Sequence, residues 1–150
     1  MKVNYFNIPE ITVSYKDNVK ASERAVIKSS RDAANIMAVA FENCMEHHEE
    51  VYALFLNKAN RVLGISRISQ GGIDGAVVDI RIILQTALKV SASYLMLSHN
   101  HPSGSDRPSP QDIRLTKNIQ AGCNAVGIQL LDHLIVTEES YTSLADEGLL

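Results

Sequence analysis

The chain has 150 residues, a formal net charge of −3, 45% hydrophobic and 21% charged residues, no Trp and 5% aromatics. That length suits one domain with its own core, which here must be built mainly from Leu, Ile, Val and Ala. The slight acidic excess weighs against a dedicated nucleic-acid binder, because phosphate neutralisation supplies much of such a protein's affinity, although a local basic patch is compatible with it. No apolar run reaches the roughly 20 residues of a membrane span, and residues 1–10 lack the basic and apolar regions of a secretory leader. A cytoplasmic protein is expected. Cys44 and Cys123 stand far apart and in no CxxC arrangement, so they read as buried thiols in a reducing compartment.

In chain order, residues 1–28 form an extension in which Ile11, Val13 and Tyr15 alternate with polar residues, predicting a short strand near 10–15. Ala33, Ile36, Met37, Ala40, Phe41 and Cys44 then follow the spacing of one helix face. Ser29 or Ser30 can cap this helix, with Asp32 in its first turn. Val51 to Leu56, a turn at Asn57-Lys58-Ala59-Asn60, and Val62 to Ile68 predict a hairpin, followed by a loop punctuated by Gly71, Gly72 and Gly75.

A second helix starts near Asp79, with Ile80, Ile83, Leu84, Ala87 and Leu88 on one face. Tyr94 to Ser98 reads as a buried strand, residues 99–109 as a loop, and Pro110 as the start of a third helix. Ile128 to Val136 is a further strand, interrupted by Asp132 and His133. The order β, α, β, β, α, β, α, β predicts a single α/β domain with a mixed sheet and flanking helices.

Chemistry concentrates between Ser98 and Asp112. Residues two apart on a strand share a side, so His99 and His101 can aim both imidazoles at one point. The loop that follows brings Asp112, in the first turn of a helix, towards the same point. Two His and one Asp make the three-ligand set of a catalytic zinc site, with a coordination position left for water. His-x-His alone is a weak signal, and Ser109-Pro110-Gln111-Asp112 is explained on its own as a helix start with Ser at the N-cap, Pro at N1 and an acid at N3.

The two fragments together carry a resemblance. His99-x-His101, seven residues, Ser109, two residues and Asp112 have the spacing of the JAMM motif of JAB/MPN metallopeptidases. The wording His-Asn-His-Pro-Ser-Gly, with Pro108-Ser109 and Asp112, resembles the RadC branch. Val51 to Asn57, Gly71-Gly72, Leu131-Asp132-His133-Leu134-Ile135-Val136 and Ser143 to Leu150 extend the similarity over about residues 30–150.

The resemblance implies a JAB/MPN fold of cytidine-deaminase-like architecture. It implies Zn2+ on His99, His101 and Asp112, and a glutamate upstream that takes a proton from the activated water and passes it to the leaving amine. Counting back seven residues from Leu56 gives Glu49, with Glu50 the competitor, since a one-residue slip turns a side chain to the other sheet face. Ser109 would donate a hydrogen bond to the developing oxyanion.

Asp132 and His133 are candidates to support the ligands from behind. His47 and His48 are expected at the surface, and Asn100 pointing away from the metal in a loop-stabilising role. The implied function is a zinc metallopeptidase or isopeptidase acting on a peptide or isopeptide substrate. The alternative is a non-enzymatic DNA-repair or recombination accessory module of the RadC type. Longer RadC proteins carry a helix-hairpin-helix segment before this domain. About thirty residues precede the matched region here, without a Gly-rich hairpin signature, so no DNA-binding role resting on that segment is expected. The H-x-E and P-C-x-x-C pair of nucleobase deaminases is absent.

Overall fold

A computed structural model describes residues 7–72 and 76–150; Gly75 lies outside the described residues. The elements are α1 (Ser30–Ala40), β1 (Glu50–Leu56), β2 (Val62–Gln70), α2 (Ile80–Lys89), β3 (Tyr94–Asn100), α3 (Pro110–Ala125), β4 (Gln129–Val136) and β5 (Tyr141–Ser143). The strands form one five-stranded mixed sheet in the order β2-β1-β3-β4-β5. The β3–β4 pair is parallel, joined across α3, and the other pairs are antiparallel.

The sheet separates two apolar cores. On one side α1 lays Ala33 and Met37, with Phe41 at its C-cap, against Leu54, Leu56, Met96 and Leu134. On the other, α2 and α3 bury Ile83, Ala87, Ile119 and Cys123 against Val51, Ala53, Phe55, Leu95 and Leu97. The period of two is therefore explicit. Odd-numbered residues of β1 and β3 face α2 and α3, and even-numbered ones face α1.

Each helix begins where its local chemistry allows. Ser29 accepts from the Asp32 amide while Asp32 accepts from the Ser29 amide, a reciprocal capping box at the start of α1. Asp79 caps α2 through its bond from the Arg81 amide. Ser109 and Asp112 form a second capping box, with Pro110 in the first turn of α3.

Four expectations change. No strand forms at 10–15. Ile11 and Val13 are 87% and 72% exposed, and the segment meets β2 through the Tyr15 hydroxyl, which donates to the Leu63 carbonyl at 2.6 Å, not through a backbone ladder. The first helix ends at Ala40 instead of running to Cys44. Beyond it the chain continues in turns, in which Cys44 stays buried and the Cys44 and Met45 carbonyls accept from the Asn100 side-chain amide at 3.2 and 3.1 Å.

Strand β3 continues through His99 to Asn100, so the loop begins two residues later than expected. Strand β4 runs through Asp132 and His133 without a break, and a short strand at its outer edge, β5, pairs with Leu134–Val136. Among the described residues no helix is long and apolar enough to cross a membrane.

Candidate metal centre

The register of the sheet assembles the site. Val51 on β1 lies opposite His99 on β3 in an antiparallel pair, and extending that register two steps puts Glu49 across from His101. All four residues are odd-numbered and share the α2/α3 side of the sheet. The Glu49 backbone is held by the glycine loop, with its carbonyl accepting from the Gly71 amide at 2.8 Å and its amide donating to the Gly72 carbonyl at 3.4 Å.

Asp112 reaches the same point from the first turn of α3. The His99 and His101 Nε2 atoms are 2.8 Å apart, Asp112 Oδ1 is 3.3 Å from His99 Nε2, and Asp112 Oδ2 is 3.4 Å from His101 Nε2. Glu49 Oε1 lies 3.7 Å from His99 Nε2. The ligand atoms of Glu49, His99 and His101 fall within 4.8 Å of one another.

These residues line one side of a cavity of about 420 Å3, which Ser109 also borders and which Val51, Ala76, Val78 and Leu115 close with apolar surface. Arg107 and Gln111 border it as well. The sequence reading did not single them out, since nothing in their spacing ties them to the histidines.

The donor set fits a zinc ion. Two imidazole nitrogens and a carboxylate are ligands zinc accepts, and tetrahedral ligands at roughly 2.0–2.1 Å from a common ion stand about 3.3 Å apart, close to the observed Asp112–His99 separation. His101 Nδ1 donates to the Ser105 carbonyl at 2.7 Å, so neutral His101 presents its Nε2 lone pair to the cluster. His99 is 2% exposed and contacts His133 Nε2 through its Nδ1 at 2.7 Å.

Charge is arranged to match. Burial pushes the Asp112 carboxyl up, but the imidazoles of His101 and His99 beside it more than reverse this and hold it well below the usual carboxylate range. The Asp112 partnership raises His101 against the opposing effect of burial. Burial raises Glu49, and the nearby His99 and His101 only partly offset the shift. Complete burial pushes His133 well below the ordinary histidine range.

Glu49 and Glu50 diverge as the period of two requires. Glu50 turns to the α1 side, where its carboxylate meets Cys44 Sγ at 3.4 Å, His48 Nε2 at 3.2 Å and Arg67 Nη1 at 3.2 Å. Cys44, His48 and Glu50 form a second cluster with ligand-like spacing. A guanidinium already neutralises its carboxylate and the thiol is pushed up to about 12, chiefly by burial, so it has the chemistry of a closed ion-pair network. His48 is thus half-buried against Glu50, whereas His47 is exposed as expected.

Asn100 points away from the cluster, on the α1 side. Its Oδ1 accepts from the Glu50 amide at 2.8 Å and its Nδ2 donates to the His48 carbonyl at 2.9 Å, so it clamps the backbone on both sides of Glu49. Asp132 and His133 part company. Asp132 accepts from the Ser143 hydroxyl and from the Ala145 amide at 3.0 Å, which ties down the C-terminal segment and leaves it out of the site.

His133 joins the site side because of a register shift between β3 and β4. Leu95 pairs with Leu130, but Met96 pairs with Asp132, so Leu131 is the extra residue of a bulge. The bulge re-aims the next side chains and brings His133 beside His99.

A family model described as "RadC-like JAB domain" matches residues 27–149. A UPF0758 protein of Flavobacterium johnsoniae is 42% identical over 123 residues, covering 82% of this chain and 53% of that protein. One of Porphyromonas gingivalis is 43% identical over 103 residues, covering 68% and 45%. One of Clostridium acetobutylicum is 35% identical over 131 residues, covering 87% and 56%. The chain spans about half the length of the curated relatives it matches.

Proposed function

This chain belongs to the RadC-like JAB domain family, and on that premise we propose that it is a zinc-dependent hydrolase that cleaves an amide bond, as a metallopeptidase or isopeptidase. The observation that carries the reading is the meeting of Glu49, His99, His101, Ser109 and Asp112 from three separate segments around one cavity. His99, His101 and Asp112 hold the zinc. Bound there, Zn2+ would supply Lewis-acid polarisation of a carbonyl and a lowered pKa for a neighbouring water.

The chain's own residues do the rest. Glu49, raised by burial and bordering the cavity, accepts the water's proton and delivers it to the leaving amine. The Ser109 oxygen already accepts from the Asp112 amide at 3.1 Å, so its single hydrogen is available to a developing oxyanion. The apolar wall of Val51, Ala76, Val78 and Leu115 suits an aliphatic stretch of a peptide or isopeptide substrate.

The two carboxylates separate under mutation. Glu49→Gln is expected to keep zinc and lose hydrolysis of a quenched fluorescent peptide mixture by at least about 10²-fold. Asp112→Ala is expected to lose both. Zinc lost together with activity in Glu49→Gln would remove Glu49 from the proton-carrying role.

A further inference from the structure

A line of hydrogen bonds runs from the back of the His99 ring to the backbone of α3, and its direction follows from which atoms can donate. The Asp112 carbonyl only accepts, so the Thr116 hydroxyl donates to it, at 2.7 Å. A hydroxyl has one hydrogen. In its other contact, at 2.6 Å from His133 Nδ1, Thr116 Oγ1 is therefore the acceptor and His133 Nδ1 carries the hydrogen.

His133 is completely buried, and its side-chain partners are Thr116 and His99, with no carboxylate among them. A buried imidazolium without an acid partner is costly, so the ring is neutral and its Nε2 holds a lone pair. His99 Nδ1, 2.7 Å away, must then supply the hydrogen between them. A His99 ring with one hydrogen then carries its lone pair on Nε2, the atom facing His101 Nε2 and Asp112 Oδ1.

We propose that Thr116 and His133 are positioning residues that lock His99 in the tautomer with its lone pair on Nε2, and so turn the cluster into a cation site. If His99 carried its hydrogen on Nε2, it would donate to His101 across the 2.8 Å gap and the cluster would satisfy itself. With the Ser105 carbonyl fixing His101 in the same sense, both nitrogens and the Asp112 carboxylate are acceptors that share no proton donor. What completes them is a small cation with affinity for nitrogen and oxygen. The functional meaning rests on the zinc reading; the tautomer stands apart from it.

Two measurements test this. Long-range 1H–15N correlation of the zinc-free protein is expected to find His99 and His133 both with hydrogen on Nδ1, and needs no variant to fold. Competition with a chromogenic chelator is expected to give T116V about 10–100-fold weaker zinc binding, while T116S, which keeps the hydroxyl, stays near wild type. Hydrogen on His99 Nε2, or equal zinc affinities for T116V and T116S, would overturn the proposal. Wild-type protein that takes up no zinc yet has the expected tautomers would support the hydrogen-bond line and refute the zinc reading.

Discussion

The Asp112 carboxylate divides its work between a helix end and the cluster. Oδ2 accepts from the Ser109 amide at 2.7 Å, and Oδ1 stands 3.3 Å from His99 Nε2. In the sequence, capping and ligation competed as explanations for Ser109 and Asp112. In space both fit, because a carboxylate has about four lone-pair sites and a cap uses one. Ser109→Ala tests the division: it is expected to cost about 1 kcal/mol in urea unfolding through the lost cap, while zinc binding persists.

The cysteines follow the expectation of buried free thiols. Burial pushes Cys44 up to about 12 and Cys123 up to about 11 from an ordinary 9.0. The native protein is therefore expected to resist iodoacetamide at pH 8 and to react at both thiols in denaturant, read by mass spectrometry. The sign of the pH effect follows. A thiol whose folded pKa is raised stabilises below its unfolded pKa and loses that contribution as pH climbs towards the folded value. Stability is thus expected to fall between about pH 9 and 12.

At the scale of elements, strand parity determines which glutamate enters the cavity. The sequence names Glu49 and Glu50 as neighbours, and the pairing of Val51 with His99 separates them. The family count had already favoured Glu49, but the reason, a shared sheet face with His99, needs the register. The bulge at Leu131 is the opposite case. Asp132 and His133 looked like an interruption of the strand, because a buried polar pair breaks an apolar run, and only the pairing reveals that the chain there gains one residue.

The alternation at Ile11, Val13 and Tyr15 misled for a related reason: a period of two describes a strand only when a partner edge takes its backbone. Asn100 was legible as a loop stabiliser but not as the clamp across Glu49. Its side chain makes four hydrogen bonds, to the Glu50 amide and to the carbonyls of Cys44, Met45 and His48. Asn100→Ala removes these bonds, although the Cys44 carbonyl keeps the His47 amide at 2.9 Å, and is expected to cost about 3–5 kcal/mol in urea unfolding. A loss below about 1 kcal/mol would mean that water replaces the amide.

At the scale of the molecule, one sheet with a core on each face brings three short segments together at one end. The chain before β1 delivers Glu49, the end of β3 delivers the histidines, and the start of α3 delivers Ser109 and Asp112. From α1 to β4 the order of helices and strands was readable because it rests on local spacing, and so was the convergence of His99, His101 and Asp112 on one point. The line through Thr116 and His133 was not, because its members come from α3 and β4 and meet only through the bulge.

An ion bound only by the folded arrangement stabilises it by mass action, by about 2.7 kcal/mol when zinc is at 100 times its Kd. The most direct measurement is the zinc content of the purified chain beside that of Asp112→Ala, by elemental analysis at neutral pH. About one zinc per wild-type chain is expected, and little or none in the variant. No zinc in the wild type even after its addition, or full occupancy in Asp112→Ala, would contradict the zinc reading.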